Sequence, residues 1–103
     1  MFGTVARFSL KPGMEERLDQ LMKEYEQIKI PGNVATYLYK MDSDPSEHYL
    51  ATIFDSRESY LANANSPEQE SRYRKLLDVM TNEPEWHDGE IVYSGVFSRS
   101  AAF

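Results

Sequence analysis

The 103-residue chain contains no cysteine, and this absence removes several chemistries at once. Disulfide bonds, thiolate nucleophiles and cysteine-ligated zinc or iron–sulfur sites are all excluded. A chain without cysteine fits a reducing compartment, and we expect a cytoplasmic location.

Positive charge is scarce as well, because 11 Lys and Arg residues stand against 17 Asp and Glu residues and the net charge is −6. Nucleic-acid binding needs a basic patch, whereas the basic residues here are scattered along the chain. No apolar run approaches the roughly 20 residues that cross a bilayer, and Met1-Phe2-Gly3 does not begin a signal peptide. The sequence therefore predicts neither a nucleic-acid partner nor a membrane segment.

Motifs for metals, nucleophiles and phosphates are also missing. The two histidines, His48 and His87, are far apart and lack a metal-ligand spacing. There is no G-x-S-x-G sequence around a serine and no glycine-rich phosphate loop. We expect no metal and no cofactor.

The chain does have two extended segments at its centre, residues 34–41 and 48–54, joined by the turn-forming residues 42–46. Valine, threonine and aromatic residues favour strands in both segments, and the Asp and Pro residues between them oppose a continuous helix. The two segments predict a β-hairpin.

Neither face of this hairpin is plainly polar. With alternating side chains, Val34 and Leu38 share one face of the first segment, and Tyr37 and Tyr39 share the other. A sheet with one wet face would instead alternate apolar and charged residues. We expect helices to cover one face and a second copy of the protein to cover the other. The alternative is that the aromatic residues are half-buried at a sheet edge.

The remaining segments supply two further strands and two helical regions. Proline and glycine end the first strand and the first helix, and two N-terminal capping patterns begin the second helical region: Asp55 three residues before Glu58, and Ser66 followed by Pro67. The predicted elements are a strand over Phe2–Leu10, a helix over Met14–Ile28, a short helix over Ser56–Asn65, a further helix from Ser66, a loop over residues 82–89 and a last strand from Glu90 to about Ser98.

This order, β-α-β-β-α-β, predicts the ferredoxin-like α+β fold, with a four-stranded antiparallel sheet and both helical regions on one face. We expect a single domain over residues 1–98, followed by a tail over residues 99–103. Pairing of two copies through the open face of the sheet would give a symmetric homodimer.

A candidate ligand cavity lies between the sheet and the second helical region. Apolar pockets with few converging polar groups suit flat organic ligands. The alternative is that Asn63 and Arg72 face solvent and Tyr73 belongs to the core. The residues expected to line the cavity are Asn63, Arg72 and Tyr73 on the helices, Arg7 and Phe8 on the first strand, and Trp86 and His87 on the loop.

Several turns and strand–helix junctions also carry a family likeness. These segments are Phe8-Ser9-Leu10-Lys11-Pro12-Gly13, Pro31-Gly32, Leu38-Tyr39-Lys40-Met41-Asp42, Asp44-Pro45, Ile53-Phe54-Asp55-Ser56-Arg57-Glu58-Ser59-Tyr60 and Asn65-Ser66-Pro67-Glu68. With them, the chain from about Phe2 to Gly95 resembles the antibiotic-biosynthesis-monooxygenase-like domain.

The resemblance implies a dimeric α+β barrel. Its members include cofactor-independent oxygenases of quinol-like polyketides, haem-degrading enzymes and domains without known activity. In the oxygenases the substrate supplies the electrons, and the protein orients it and stabilises an anion. The haem-degrading members use Asn, Trp and His at places that correspond to Ala6, Asn63 and Tyr73, so haem degradation is not expected.

The hypothesis from sequence is therefore a cofactor-free monooxygenase for a small aromatic or quinol-like compound. Asn63 and Tyr73 would position the substrate, and Arg72 or His87 would stabilise an enolate. Arg7, Phe8 and Trp86 would contact the substrate. The alternative is a non-catalytic dimer of the same fold that binds a small molecule or acts as an accessory.

Overall fold

The structure, a computed structural model, describes residues 1–97. Its sheet has the order β2-β3-β1-β4, and all three pairings are antiparallel. The predicted ferredoxin-like plan is confirmed. The elements are β1 (Phe2–Ser9), α1 (Glu15–Gln27), β2 (Asn33–Lys40), β3 (Glu47–Phe54), α2 (Arg57–Ala64), α3 (Pro67–Leu77) and β4 (Glu85–Glu90). The end of the predicted last strand and the predicted tail, residues 98–103, lie outside the described residues.

Strand β1 lies inside the sheet, between β3 and β4, and its side chains alternate sharply between the two faces. Its even-numbered residues from Phe2 to Phe8 face the helices and are buried, whereas Val5 and Arg7 face away and are exposed. The core forms between this face of the sheet and the helices. It consists of Ala6, Phe8, Leu10, Leu18, Leu21, Leu50, Leu76, Val79 and Met80.

Helix α1 begins after a turn in which Gly13 has a φ of 79°. Glu15 and Glu16 in its first turn complement the helix dipole, and Leu18 and Leu21 are buried against the sheet. The predicted helix, which ran to Ile28, is too long at its C-terminal end, because α1 ends at Gln27. Ile28 follows in an extended conformation, where its backbone N–H still bonds the last turn.

Helices α2 and α3 form one arm that is broken at Ser66 and Pro67, as predicted. The Ser66 Oγ accepts from the Gln69 N–H over 3.1 Å, and Pro67 opens α3. The predicted cap of α2 is wrong by one residue. Ser56, not Asp55, accepts from the Ser59 N–H, and Asp55 accepts from the Ser59 hydroxyl instead.

The last strand lies earlier than predicted. Residues 85–90 form β4, not a loop, and residues 91–97 form no strand. The Thr81 N–H donates to the Ser9 carbonyl, and this bond brings the chain alongside β1. Strand pairing then begins at Glu85, which lies opposite Arg7. All six β4 residues are exposed, and β4 therefore lacks the apolar pattern that marks a buried strand.

The helices leave the second face of the sheet, the open face, uncovered. Across its centre run His87, Val5, Ala51 and Tyr37, one from each strand. Val5 is 46% exposed, and Tyr37 and its neighbour Tyr39 are each 55% exposed. Such a cluster is typical of a surface that binds a partner. Among residues 1–97, no helix is long and apolar enough to cross a membrane.

Candidate functional site

A cleft of about 1180 Å³ lies between α1, the helix-facing side of the sheet and the α2–α3 arm. Sites for small molecules commonly have volumes of roughly 300–1,000 Å³, so the cleft has room for a ligand of one to three rings. Thr36, Leu38 and Thr52 form part of its floor. The space beneath the arm is therefore not filled by Tyr73 and its neighbours.

A polar cluster of Asn63, Gln69 and Arg72 lines the arm side of this cleft. Arg72 donates from Nε to Gln69 Oε1 over 3.1 Å and from Nη2 to Asn63 Oδ1 over 3.0 Å. All three residues are half-buried. Within residues 1–97, Arg72 forms no ion pair, so its charge is met only by neutral amide oxygens. This arrangement can stabilise an anionic oxygen.

Two aromatic side chains form the wall beside the polar cluster. The rings of Tyr73 on α3 and Trp86 on β4 lie 5.8 Å apart at an angle of 55°. Both line the cleft, where their faces are suited to stacking against a flat ring. Asn63, Arg72, Tyr73 and Trp86 were all predicted from the sequence to line a cavity, and the structure brings the four together.

Tyr25 connects α1 to the arm. Its hydroxyl donates to the Arg72 carbonyl over 2.7 Å, and burial raises the pKa of Tyr25 to about 12, against a smaller opposing effect of the Arg72 charge. The phenol therefore stays protonated at neutral pH and holds the backbone of Arg72 in place.

A second polar group, Thr4, Tyr60 and Asp88, also lines the cleft. The Tyr60 hydroxyl donates to Asp88 Oδ1 over 2.8 Å. Sequence reasoning missed these residues. Thr4 stands out as a polar residue in the buried row of β1, but the position of Asp88 depends on the register of β4, which the sequence did not reveal.

Two predicted site residues lie on the wrong side of the sheet. Arg7 and His87 were expected in the cavity, but the alternation of β1 and β4 places both on the open face. Arg7 pairs there with Glu47 over 3.4 Å and with Glu85 over 3.3 Å. The His87 Nε2 lies 2.9 Å from Glu85 Oε1.

Phe8 does lie on the helix-facing side but belongs to the core. Its ring stacks on His48 at 5.4 Å, and both side chains are buried. The His48 Nδ1 lies 3.0 Å from the Ser46 carbonyl oxygen, which accounts for its burial. Among residues 1–97, no three His, Asp or Glu side chains are grouped as metal ligands.

Comparison with known proteins identifies the family. Residues 1–75 match the family Antibiotic biosynthesis monooxygenase. No curated protein matches the chain.

Among solved structures, the chain is similar to NE2512, a protein of unknown function from Nitrosomonas europaea, with 16% identity, a TM-score of 0.74 and coverage of 95% of each chain. It is also similar to Rv0793 from Mycobacterium tuberculosis, with 16% identity, a TM-score of 0.72 and coverage of 92% of this chain and 98% of that one. At such identities the likeness shows a common fold.

Proposed function

Because the chain belongs to the antibiotic biosynthesis monooxygenase family, we propose that it is a cofactor-independent monooxygenase of a small aromatic or quinol-like compound. One observation carries the proposal: an aromatic cleft in which Arg72, without an ion-pair partner among residues 1–97, lies beside Tyr73 and Trp86. A flat substrate that loses a hydroxyl proton becomes an anion. The positive charge of Arg72 can stabilise that anion, and the rings of Tyr73 and Trp86 can pack against its flat face.

The substrate supplies the electrons in this reaction. In an anthrone-type compound, the reacting CH2 carbon gives up two hydrogens and receives one oxygen atom of O2. The second oxygen atom leaves with those hydrogens as water. The protein has to hold the ring in one orientation and stabilise the enolate, for which Asn63, Tyr73 and Arg72 are the proposed groups.

The proposed assembly is a homodimer through the open face, which we place in the cytoplasm. The half-exposed Val5, Tyr37 and Tyr39 form the apolar centre of that face, and the ion pairs of Arg7 with Glu47 and Glu85 lie beside it. An apolar centre with a charged surround is typical of protein interfaces. Stable interfaces bury roughly 800 Å² on each partner.

A second candidate is a non-catalytic dimer that binds the same class of ligand. The composition of the polar cluster favours it, since Asn63, Gln69 and Arg72 include no group that accepts a proton at neutral pH. A protein of this kind would bind aromatic compounds without consuming oxygen.

Oxygen uptake with a panel of anthrols and hydroquinones tests the proposal. We expect uptake by the wild type and a fall in kcat of ~100-fold in Arg72→Gln, because one anion-stabilising donor is lost. Arg74→Gln is the matched control, since Arg74 lies on the same helix and pairs with Glu70 at the surface. No uptake by the wild type across the panel would overturn the monooxygenase and favour the binding dimer. Uptake that survives Asn63→Ala and Tyr73→Phe would remove the roles of those two residues.

A further inference from the structure

The Tyr60 hydroxyl has a fixed hydrogen-bonding direction. The hydroxyl donates its single hydrogen to Asp88 Oδ1 over 2.8 Å. Toward any other group it can therefore only accept a hydrogen bond through its lone pairs. Burial, with a smaller contribution from Asp88, raises the pKa of Tyr60 to about 12, and the phenol stays protonated at neutral pH. Tyr60 is therefore a hydrogen-bond acceptor at the wall of the cleft.

Aromatic packing holds the Tyr60 ring in this position. The ring centre lies 5.2 Å from that of Phe2 and 5.6 Å from that of Phe54, in tilted and edge-on arrangements. Both phenylalanines are buried. The packing of the ring against the core thus fixes the position of the hydroxyl oxygen before any ligand binds.

Thr4 provides a second oxygen next to Tyr60. It is 5% exposed, and its Oγ1 is the one buried side-chain oxygen or nitrogen within residues 1–97 that has no hydrogen-bond partner. The Thr4 hydroxyl acts on Tyr60 as a weak hydrogen-bond donor that lowers the pKa of Tyr60, although the pair does not reach full hydrogen-bonding geometry. Because a buried hydroxyl without a well-formed hydrogen bond is costly, Thr4 marks the hydrogen bonding around Tyr60 as incomplete.

We propose that Thr4, Tyr60 and Asp88 form a subsite that recognises a ligand hydroxyl and so prefers hydrogen-bond donors to acceptors. The ligand class is a phenol or quinol whose O–H donates to Tyr60 Oη. The reaction direction that this implies rests on the proposed function: a quinone product has no hydroxyl to donate, so it loses this bond and leaves.

The register of β4 fixes how far this subsite lies from the aromatic pair of Tyr73 and Trp86. Tyr60 binds Asp88 and Tyr73 packs on Trp86, two residues earlier on the strand. Two residues of a strand span about 7 Å, which is close to the length of a hydroxylated ring. A ligand whose hydroxyl binds Tyr60 therefore places its ring against Trp86, in the same cleft that Arg72 lines.

Calorimetric titration with 2-naphthol, 2-methoxynaphthalene and 1,4-naphthoquinone tests the subsite. The first ligand can donate a hydrogen bond, and the other two can only accept one. Because the chain has no cysteine, the quinone meets no thiol. We expect the wild type to bind the naphthol roughly 3- to 10-fold more tightly than its methyl ether, the value of one hydrogen bond.

The variants separate this role from a merely structural one. Tyr60→Phe should remove the preference for naphthol. Asp88→Ala frees the Tyr60 hydrogen and should strengthen binding of the quinone, whereas Asp88→Asn keeps an acceptor oxygen and should bind like the wild type. Asp19→Ala is the control, because Asp19 also lines the cleft but pairs with Lys23 on α1. Thermal unfolding confirms that each variant is folded.

Equal wild-type affinity for naphthol and ether, a preference that survives Tyr60→Phe, or no binding of either ligand would overturn the subsite. Oxygen uptake is measured separately on the same samples. A hydroxyl preference without uptake would leave the subsite standing and overturn the monooxygenase. Oxygen uptake without a hydroxyl preference would leave the monooxygenase standing and overturn the subsite.

Discussion

Arg72 donates from Nη2 to Oδ1 of Asn63 over 3.0 Å, and this bond joins α3 to α2 across the break at Ser66. In a double-mutant cycle of Asn63→Ala and Arg72→Ala, we expect a coupling of about 1 kcal/mol in the free energy of unfolding, because the bond is partly shielded from water. Urea denaturation measures it. The comparison cycle is Glu70→Ala with Arg74→Ala, an exposed pair on one helix whose coupling should be about 0.3–0.5 kcal/mol. Equal coupling energies in the two cycles would show that partial burial does not strengthen the bond between Asn63 and Arg72.

Gly13 and Gly32 both have positive φ, at 79° and 83°, but their surroundings differ. An added Cβ meets nothing within 4 Å at Gly13, whereas at Gly32 it falls 2.5 Å from the Ser59 side chain. Gly13→Ala should cost about 1–2 kcal/mol for the backbone conformation alone. Gly32→Ala should cost a further ~1–3 kcal/mol from crowding. Denaturant unfolding of both variants checks this, and similar losses would contradict the contact with Ser59.

The two half-buried tyrosines Tyr25 and Tyr60 predict how stability changes in alkali. The pKa values of Tyr25 and Tyr60 are each raised from 10.0 to about 12, so the folded state holds these protons more tightly than the unfolded state. Their contribution is fully present below about pH 10 and is lost as the pH rises toward 12. Unfolding free energies measured from pH 8 to 12 should therefore fall less steeply above pH 10 in Tyr25→Phe than in the wild type. Parallel curves would show that Tyr25 titrates alike in both states.

The open face predicts what a single charge does to assembly. Val5 lies at its centre, 46% exposed, and Val5→Lys should convert the proposed dimer to a species of 11.9 kDa in light scattering. Leu61→Lys is matched in exposure, at 45%, but lies on α2 away from this face and should remain dimeric. A wild type that is itself 11.9 kDa at micromolar concentration would remove the proposed interface.

The fold was predictable from sequence wherever burial imposes a pattern. Strand β1 and helix α1 each have one buried face, so their apolar residues recur with the period of the element. Strand β4 has no buried residue, and its Asp88 and Gly89 are typical of a turn. Its position is set by the chain that precedes it along β1, which is a tertiary effect that no local pattern encodes.

The same error explains what was missed in the candidate site. Arg72 and Tyr73 lie on α3, whose start is fixed by the cap at Ser66, and Asn63 lies on α2, which ends just before that cap. The place of these three residues in the cleft was therefore predictable from the break between the two helices. Without the register of β4, alternation could not be applied to His87 and Asp88. Alternation on β1 alone already separates Arg7 from Phe8, and placing both in one cavity was inconsistent with it.

The strand order has a consequence for how the chain matures. The first strand is made within the first nine residues, yet one of its two neighbours comes from residues 85–90. During synthesis the edge of β1 that pairs with β4 therefore keeps its amides and carbonyls unpaired until residues 85–90 have left the ribosome. An exposed edge of this kind attracts other strands, so premature termination before β4 would release a fragment prone to aggregate.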